Sequence, residues 1–414
     1  MNRREYLKML AAATIAGFSP RLARPNDKLL SYRDCRLTEP EEILAKVAAH
    51  RPLHGAKVPR DLKRRLGATH VRGNYHLTDE PFLIEGAKKL HDFGFGVMKL
   101  WFESFPNLYY YNSDWSGLSR NSRLVDYVKH PYLVQTFDFP FSTFTLEITH
   151  LAGVRPFDAD HNDYREYEDQ FAELTAYLYE TYADRDVTFI LQNWEGDWLF
   201  RGNTNPTWNE QMLEALPRKT ERFIRWFAAK QQGVEKARNK ALKNGTPKCR
   251  VLHAAEVNQV LCLLKGEPSL IEHVLPHVPV DLVSWSCYDG LGNAVDTWHG
   301  IELIKHFMKS SGFPAEKTVM IGEIGQPENE RSTEELLDLW DRSMGVFFAM
   351  DIPWIIHWEL YCNELTEEAK KNLKPLGSTY TADELRGFWL YRPDGSLSHS
   401  GSYLKTLLER SDPS

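Results

Sequence analysis

Val319-Met320-Ile321-Gly322-Glu323-Ile324-Gly325 is the stretch on which the fold turns. An apolar run stops at a carboxylate set between two glycines. Side chains alternate along a strand, so Val319, Ile321 and Glu323 fall on one face. In a closed parallel barrel that face is the lumen, and the acid sits at the C-terminal rim, where such barrels place their chemistry. A solvated acid at a strand end is the plain alternative, and the rest of the chain has to separate the two.

Working outward, the same alternation recurs. Strand-like runs at 67–75, 94–102, 143–150, 187–195, 250–257, 281–288 and 353–360 alternate with helix-period segments, among them 164–182, 210–244 and 333–349. A segment at 402–409 supplies the last helix, and the turn Pro393-Asp394-Gly395 before it marks a small C-terminal hairpin. Eight strand–helix units predict an α/β chain folded as a (β/α)8 TIM barrel with long βα loops, one catalytic domain over 25–414. The chain exceeds the roughly 250 residues usual for such a barrel. The excess falls mainly after strands two, three, four and eight, on the side that builds active sites.

Alternation along the fourth run places Val187, Phe189, Leu191, Asn193 and Glu195 together, so this strand also turns polar only at its C-terminal end. Two carboxylates at one barrel mouth are the equipment of glycoside hydrolysis. One protonates the leaving oxygen, and the other attacks the sugar or activates water. A Glu in a confined, partly apolar rim keeps its proton near neutral pH, because desolvation disfavours the charged form. Asp197 stands in reserve beside Glu195.

The chain here resembles the clan A glycoside hydrolases, the superfamily that includes family-5 cellulases and mannanases. The resemblance is carried by Asn193-Trp194-Glu195, Ile321-Gly322-Glu323-Ile324-Gly325, Ser284-Trp285-Ser286-Cys287-Tyr288, Trp358 and the ending Tyr391-Arg392-Pro393-Asp394-Gly395. It implies a retaining hydrolase of β-linked oligo- or polysaccharides, with Glu195 as acid/base and Glu323 as nucleophile. It further implies that Tyr288 touches the nucleophile and that Trp358 floors the sugar beside the cleaved bond. The clan sets an Asn directly before its acid/base; here Trp194 intervenes, and Asn193 is the candidate for that sugar-binding role.

Other candidates follow from parity. His70, Arg72 and Asn74 share a face of strand one; Arg72 either keeps the nucleophile ionised or forms an internal ion pair with Glu147. His150 ends strand three and either holds a sugar hydroxyl or is structural. Tyr288 either donates to Glu323 or caps the barrel, and Trp358 either carries a sugar or packs in the core. His253 and Glu256 lie on opposite faces of strand five, so at most one enters the lumen. Trp101, Tyr109, Trp115, Trp198 and Trp208 lie on long loops, where aromatic faces suit pyranose rings.

Composition narrows the partners. A net charge of −7 leaves no basic footprint for nucleic acid. Cofactor motifs are absent: there is no phosphate-binding GxGxxG or P-loop, and strand one lacks the paired histidines of a metal-dependent hydrolase on this barrel. Neither a cofactor nor a metal is expected, and carbohydrate is the expected partner. A carbohydrate-binding barrel without chemistry is the non-enzyme alternative; it would need the aromatics but not both acids. Residues 1–24 read as a leader: Asn2-Arg3-Arg4-Glu5-Tyr6-Leu7-Lys8 precedes a short apolar run and resembles a twin-arginine export signal. That implies a periplasmic or secreted protein without a stable membrane anchor. The five cysteines, Cys35, Cys249, Cys262, Cys287 and Cys362, match no zinc or redox spacing and are expected to be unpaired.

Overall fold

A computed structural model describes residues 31–102, 106–119, 121–151, 163–205, 207–314 and 316–411. Eight parallel strands close into a barrel in sequential order: β1 (Leu66–His70), β2 (Val97–Trp101), β3 (Thr143–Glu147), β4 (Thr188–Gln192), β5 (Arg250–Val257), β6 (Leu282–Ser286), β7 (Thr318–Ile324) and β8 (Ile355–His357). Before β1 comes α1 (Pro40–Ala48); the helices that follow strands are α2 (Phe82–Phe93), α3 (Pro131–Asp138), α4 (Arg165–Tyr182), α5 (Glu210–Asn244), α6 (Ala294–Phe307), α7 (Thr333–Ala349) and α8 (His399–Ser411). After β5 come only short helical turns, Leu261–Lys265, Leu270–His273 and Leu275–His277. The expected hairpin is present as an antiparallel bridge between Tyr391 and Leu397. The protein is a (β/α)8 TIM barrel. Among the described residues no helix is long and apolar enough to cross a membrane, and all five cysteines are free. The leader expected at 1–24 lies outside the described residues.

The core has two parts. Val97, Ile190, Leu252, Ala254, Leu282, Met320 and Ile356 form a small apolar plug inside the barrel, with Phe313 and Trp354 packed against it. Trp354 directly precedes β8, so the plug fills the N-terminal end, and its indole N–H donates to Thr143 Oγ1 at 3.0 Å. The much larger cluster lies between strands and helices and includes Phe144, Leu146, Phe189, Leu191, Val283, Trp285, Val319 and Ile321.

These two clusters correct the expected parity. Val319 and Ile321 face the helices, and Met320 faces the lumen. Likewise Val187, Phe189 and Leu191 pack outward, while Ile190 and Gln192 point inward. Glu323 still reaches the lumen because β7 carries a bulge. Trp285 pairs with Ile321 but its successor Ser286 pairs with Glu323, and on the other side Ile355 and His357 pair with Ile321 and Ile324. One extra residue, Gly322, therefore resets the alternation. Glycine is required there: a Cβ at 322 would lie 1.8 Å from Ser284 Oγ and 2.5 Å from Glu256 Oε2. Gly325 makes room for another neighbour, since its Cβ would meet Trp358 O at 2.2 Å.

Candidate active site

Above the plug the lumen turns ionic. Lys99 on β2, wholly buried, places Nζ 2.8 Å from Glu323 Oε1, 3.2 Å from Glu256 Oε2 and 3.5 Å from Glu147 Oε2. Three strands, β3, β5 and β7, thus each aim one carboxylate at a single ammonium. Neutral donors satisfy the remaining lone pairs. Gln192 Nε2 lies 3.0 Å from Glu147 Oε2 and 2.5 Å from Glu256 Oε2, and Ser284 Oγ donates to Glu256 Oε2 at 2.9 Å. The backbone N–H of Glu195 donates to Glu256 Oε1 at 3.1 Å, which ties the end of β4 to the cluster. Among the described residues, no group of three or more His, Cys, Asp or Glu side chains is disposed to hold a metal ion.

Glu195 follows the last residues of β4 and immediately precedes a short helix, Gly196–Arg201. Its carboxylate and that of Glu323 share one hydroxyl: Ser286 Oγ lies 2.7 Å from Glu195 Oε1 and 3.3 Å from Glu323 Oε2. Tyr288 Oη approaches Glu323 Oε2 at 3.5 Å. Glu323 is therefore held between an ammonium on one oxygen and two hydroxyls on the other.

Burial works against charge throughout this cluster, and the neighbours decide the outcome. At Lys99 the charges of Glu256, Glu323 and Glu147 outweigh burial and hold its proton above the ordinary lysine range. Burial pushes Glu323 up to about 7, with Lys99 opposing the rise and Glu256 adding to it. Burial, then the charge of Glu323, lifts Glu195 well above the usual carboxyl range. Burial also takes Glu147 up to about 8, again against the pull of Lys99. The Tyr288 phenol is raised for the same reasons, burial first and then Glu323.

Several expected residues sit elsewhere. Arg72 is exposed and is not paired with Glu323; Lys99 stands against both partners considered for it, Glu323 and Glu147. The physical reason is that β1 ends at His70, so Arg72 already belongs to the loop. His70 faces α2, its Nε2 2.7 Å from Phe82 O. Asn193 spends its amide on the backbone of Glu256, accepting from its N–H and donating to its C=O, each at 3.0 Å. It positions β4 against β5 and has no amide group aimed at a sugar. Asp197, buried, accepts the backbone N–H groups of Asn258, Gln259 and Leu270, so the reserve acid is a loop clamp. His150 is exposed beyond the end of β3. Of the fifth-strand pair, Glu256 enters the lumen and His253 faces outward against Gln231 of α5.

The aromatics divide. Trp358 and Trp101 meet edge to face at 5.8 Å, Tyr109 lies 6.1 Å from Trp101, and Lys99 Nζ stands 5.5 Å from the Trp101 ring centre, which places this trio beside the acids. Trp198 lies against Arg201, 5.5 Å from its guanidinium carbon. Trp115 and Trp208 are loop anchors, their indole N–H groups donating to Tyr110 O and Pro268 O. Sequence reasoning passes over Lys99, Ser286 and Gln192. For Lys99 a signal existed: it is the one charged residue in Val97-Met98-Lys99-Leu100-Trp101, a place that buries it wherever the run forms a barrel strand.

No known protein family and no curated protein sequence matches the chain. Solved structures share its fold. A GH5_18 protein from Streptomyces cattleya, in complex with GlcNAc, gives a TM-score of 0.50 at 12% identity over 86% of this chain and 81% of that one. An exo-beta-1,4-mannosidase from Opitutaceae bacterium strain TAV5 gives 0.50 at 12% identity over 85% of this chain and 59% of its own. These structural neighbours are glycoside hydrolases, and at such identity the likeness speaks for the barrel alone.

Proposed function

We propose that the protein is a retaining glycoside hydrolase acting on β-linked oligo- or polysaccharides, with Glu323 as nucleophile and Glu195 as acid/base. The observation that carries this reading is the Ser286 hydroxyl shared by the two acids. One hydroxyl 2.7 Å from Glu195 and 3.3 Å from Glu323 keeps the two acids facing a common small space, in keeping with the ~5–5.5 Å between carboxyl groups in retaining enzymes rather than the ~6.5–9.5 Å of inverting ones. Inversion needs that wider gap to seat a water; retention needs the acids closer.

The electrostatics suit the same division of labour. Lys99 contacts Glu323 directly and favours its ionised form, while Glu195 has burial and the Glu323 charge keeping its proton on. Glu323 then attacks the anomeric carbon as the bond to the leaving oxygen breaks and Glu195 gives that oxygen its proton. Water next attacks the glycosyl–Glu323 ester, Glu195 takes the water's proton, and the carboxylate of Glu323 is released. Trp358 and Trp101 supply flat faces beside the acids for the sugar. The resemblance of 1–24 to a twin-arginine signal extends the proposal to a periplasmic or secreted enzyme.

Proton NMR of the first-formed product tests the stereochemistry: retention of the β-anomer is expected, and initial release of the α-anomer rules out the nucleophile assignment. Glu195→Gln should slow substrates with poor leaving groups far more than activated aryl glycosides. Equal loss on both would move the acid role elsewhere.

A further inference from the structure

The loops after β1 and β8 meet beside the mouth and enclose a cavity of ≈ 340 Å³, within the ~300–1,000 Å³ usual for small-ligand sites. Its walls are fixed by backbone bonds. The N–H of Asn74 donates to Cys362 O at 3.0 Å, Asn74 Nδ2 donates to Asn363 O at 2.7 Å, and the N–H of Tyr380 donates to Asn74 O at 2.9 Å. The Trp358 indole N–H donates at 3.3 Å to Oε1 of Glu364, which stands between the lining residues Asn363 and Leu365, so the cavity adjoins the aromatic side of the candidate active site.

The charges around it do not balance. Lys374 is already engaged by Glu384 Oε2 at 2.8 Å and Thr379 O at 3.2 Å, and Glu364 is held by Arg386 at 2.6 Å. Arg72 lines the cavity, is exposed, and among the described residues has no carboxylate or carbonyl engaging its guanidinium. The same cavity is lined by apolar side chains that folding left uncovered: Leu373 is 72% exposed and Leu376 46% exposed, with Leu365 and Pro375 also in the lining. Large apolar side chains gathered in the open beside a polar cleft mark a ligand surface. The combination asks for a ligand with one C–H face and one planar anion, and a guanidinium fork binds a carboxylate through two parallel hydrogen bonds. The chain's net charge of −7 provides no general attraction for anions, so any preference has to come from this local group.

We infer that this cavity is a subsite for a carboxylate-bearing sugar, a uronic acid, with Arg72 as the specificity-determining residue. The inference rests on the hydrolase reading for its place in a glycan chain. The test uses short β-linked glucose and mannose oligosaccharides in three forms: neutral, oxidised at C6 to the uronate, and sulfated at C6. Calorimetric titration into Glu323→Gln measures binding without turnover, and kcat and KM of the full chain measure hydrolysis.

The uronate forms should bind Glu323→Gln about five- to tenfold more tightly than the neutral ones, an advantage that shrinks as salt is raised. Adding Arg72→Gln should erase the advantage, and Arg72→Lys should restore part of it. Equal binding of neutral and uronate forms overturns the subsite, as does a uronate preference that survives Arg72→Gln in a protein with a native melting transition. So does tighter binding of the sulfated form than of the uronate. In those cases cleavage of neutral substrate by the wild type leaves the hydrolase reading standing. An Arg72-dependent uronate preference with no cleavage of any oligosaccharide upholds the subsite and sinks the hydrolase reading.

Discussion

The two ends of the barrel lumen are lined by the same eight strands and could hardly differ more. At the N-terminal end, Val97, Ile190, Leu252, Ala254, Leu282, Met320 and Ile356 make a dry plug. Two residues farther along β2 and β5, Lys99 and Glu256 begin a buried ionic layer that also takes in Glu147 and Glu323. The plug stabilises the fold by removing apolar surface from water. The ionic layer works against folding unless every charge is met, because desolvating four ionisable groups costs more than their attraction readily returns. One ammonium faces three carboxylates: burial raises Glu323 and Glu147, Lys99 pulls both back, and the charge of Glu256 adds to the rise. Stability and chemistry are thus separated along the strand direction.

The separation can be broken from either end. The largest expected effect is at the mouth: Glu323→Gln should cut kcat by on the order of 10³-fold or more while the melting transition stays cooperative, and near-normal turnover by that variant would end its assignment as nucleophile. At the opposite end, Ile356→Ala should lose about 2–5 kcal/mol of stability in denaturant titration, without moving the pH profile of kcat/KM. A changed profile would mean that the plug and the acids are coupled.

Lys99→Met asks whether the ammonium sets the ionisation of Glu323. In the wild type, kcat/KM should rise with pH through about 7 as Glu323 ionises. Without Lys99 the carboxyl is pushed higher still, so that limb should move to higher pH, with activity at pH 6 falling roughly 10- to 100-fold. An unmoved limb would reduce Lys99 to a packing role. The smallest effect concerns Glu147, whose pKa is raised from 4.5 to about 8. Below the lower value both folded and unfolded chains hold the proton; between the two only the folded chain does, so stability falls as pH rises across that window. Glu147→Gln should flatten the decline of Tm between pH 5 and pH 8, and an equally steep decline would place the proton elsewhere in the cluster.

Much of this was legible along the chain because it is written in periodicity. The boundaries of the helices 210–244 and 333–349 coincide with Glu210–Asn244 and Thr333–Ala349, since long amphipathic segments average over many residues. Strands were located but drawn too long: 67–75 shrinks to Leu66–His70, and 187–195 to Thr188–Gln192. That overextension puts Arg72 in the lumen pattern, and the inverted parity of the fourth strand adds Asn193. Both faces of a parallel barrel strand are buried, so its residues carry little alternation to show which face is which.

The sequence by itself determined the barrel, the order of its eight units and two acids, Glu195 and Glu323, at the C-terminal ends of the fourth and seventh. Tertiary structure alone decided how they meet. A bulge at Gly322 turns Glu323 inward, a hydroxyl from β6 bridges it to Glu195, and a lysine from β2 stands against it. No periodicity encodes these, because a bulge is a mismatch between neighbouring strands and a charge pair joins residues distant in sequence. Each exists only once the sheet has closed.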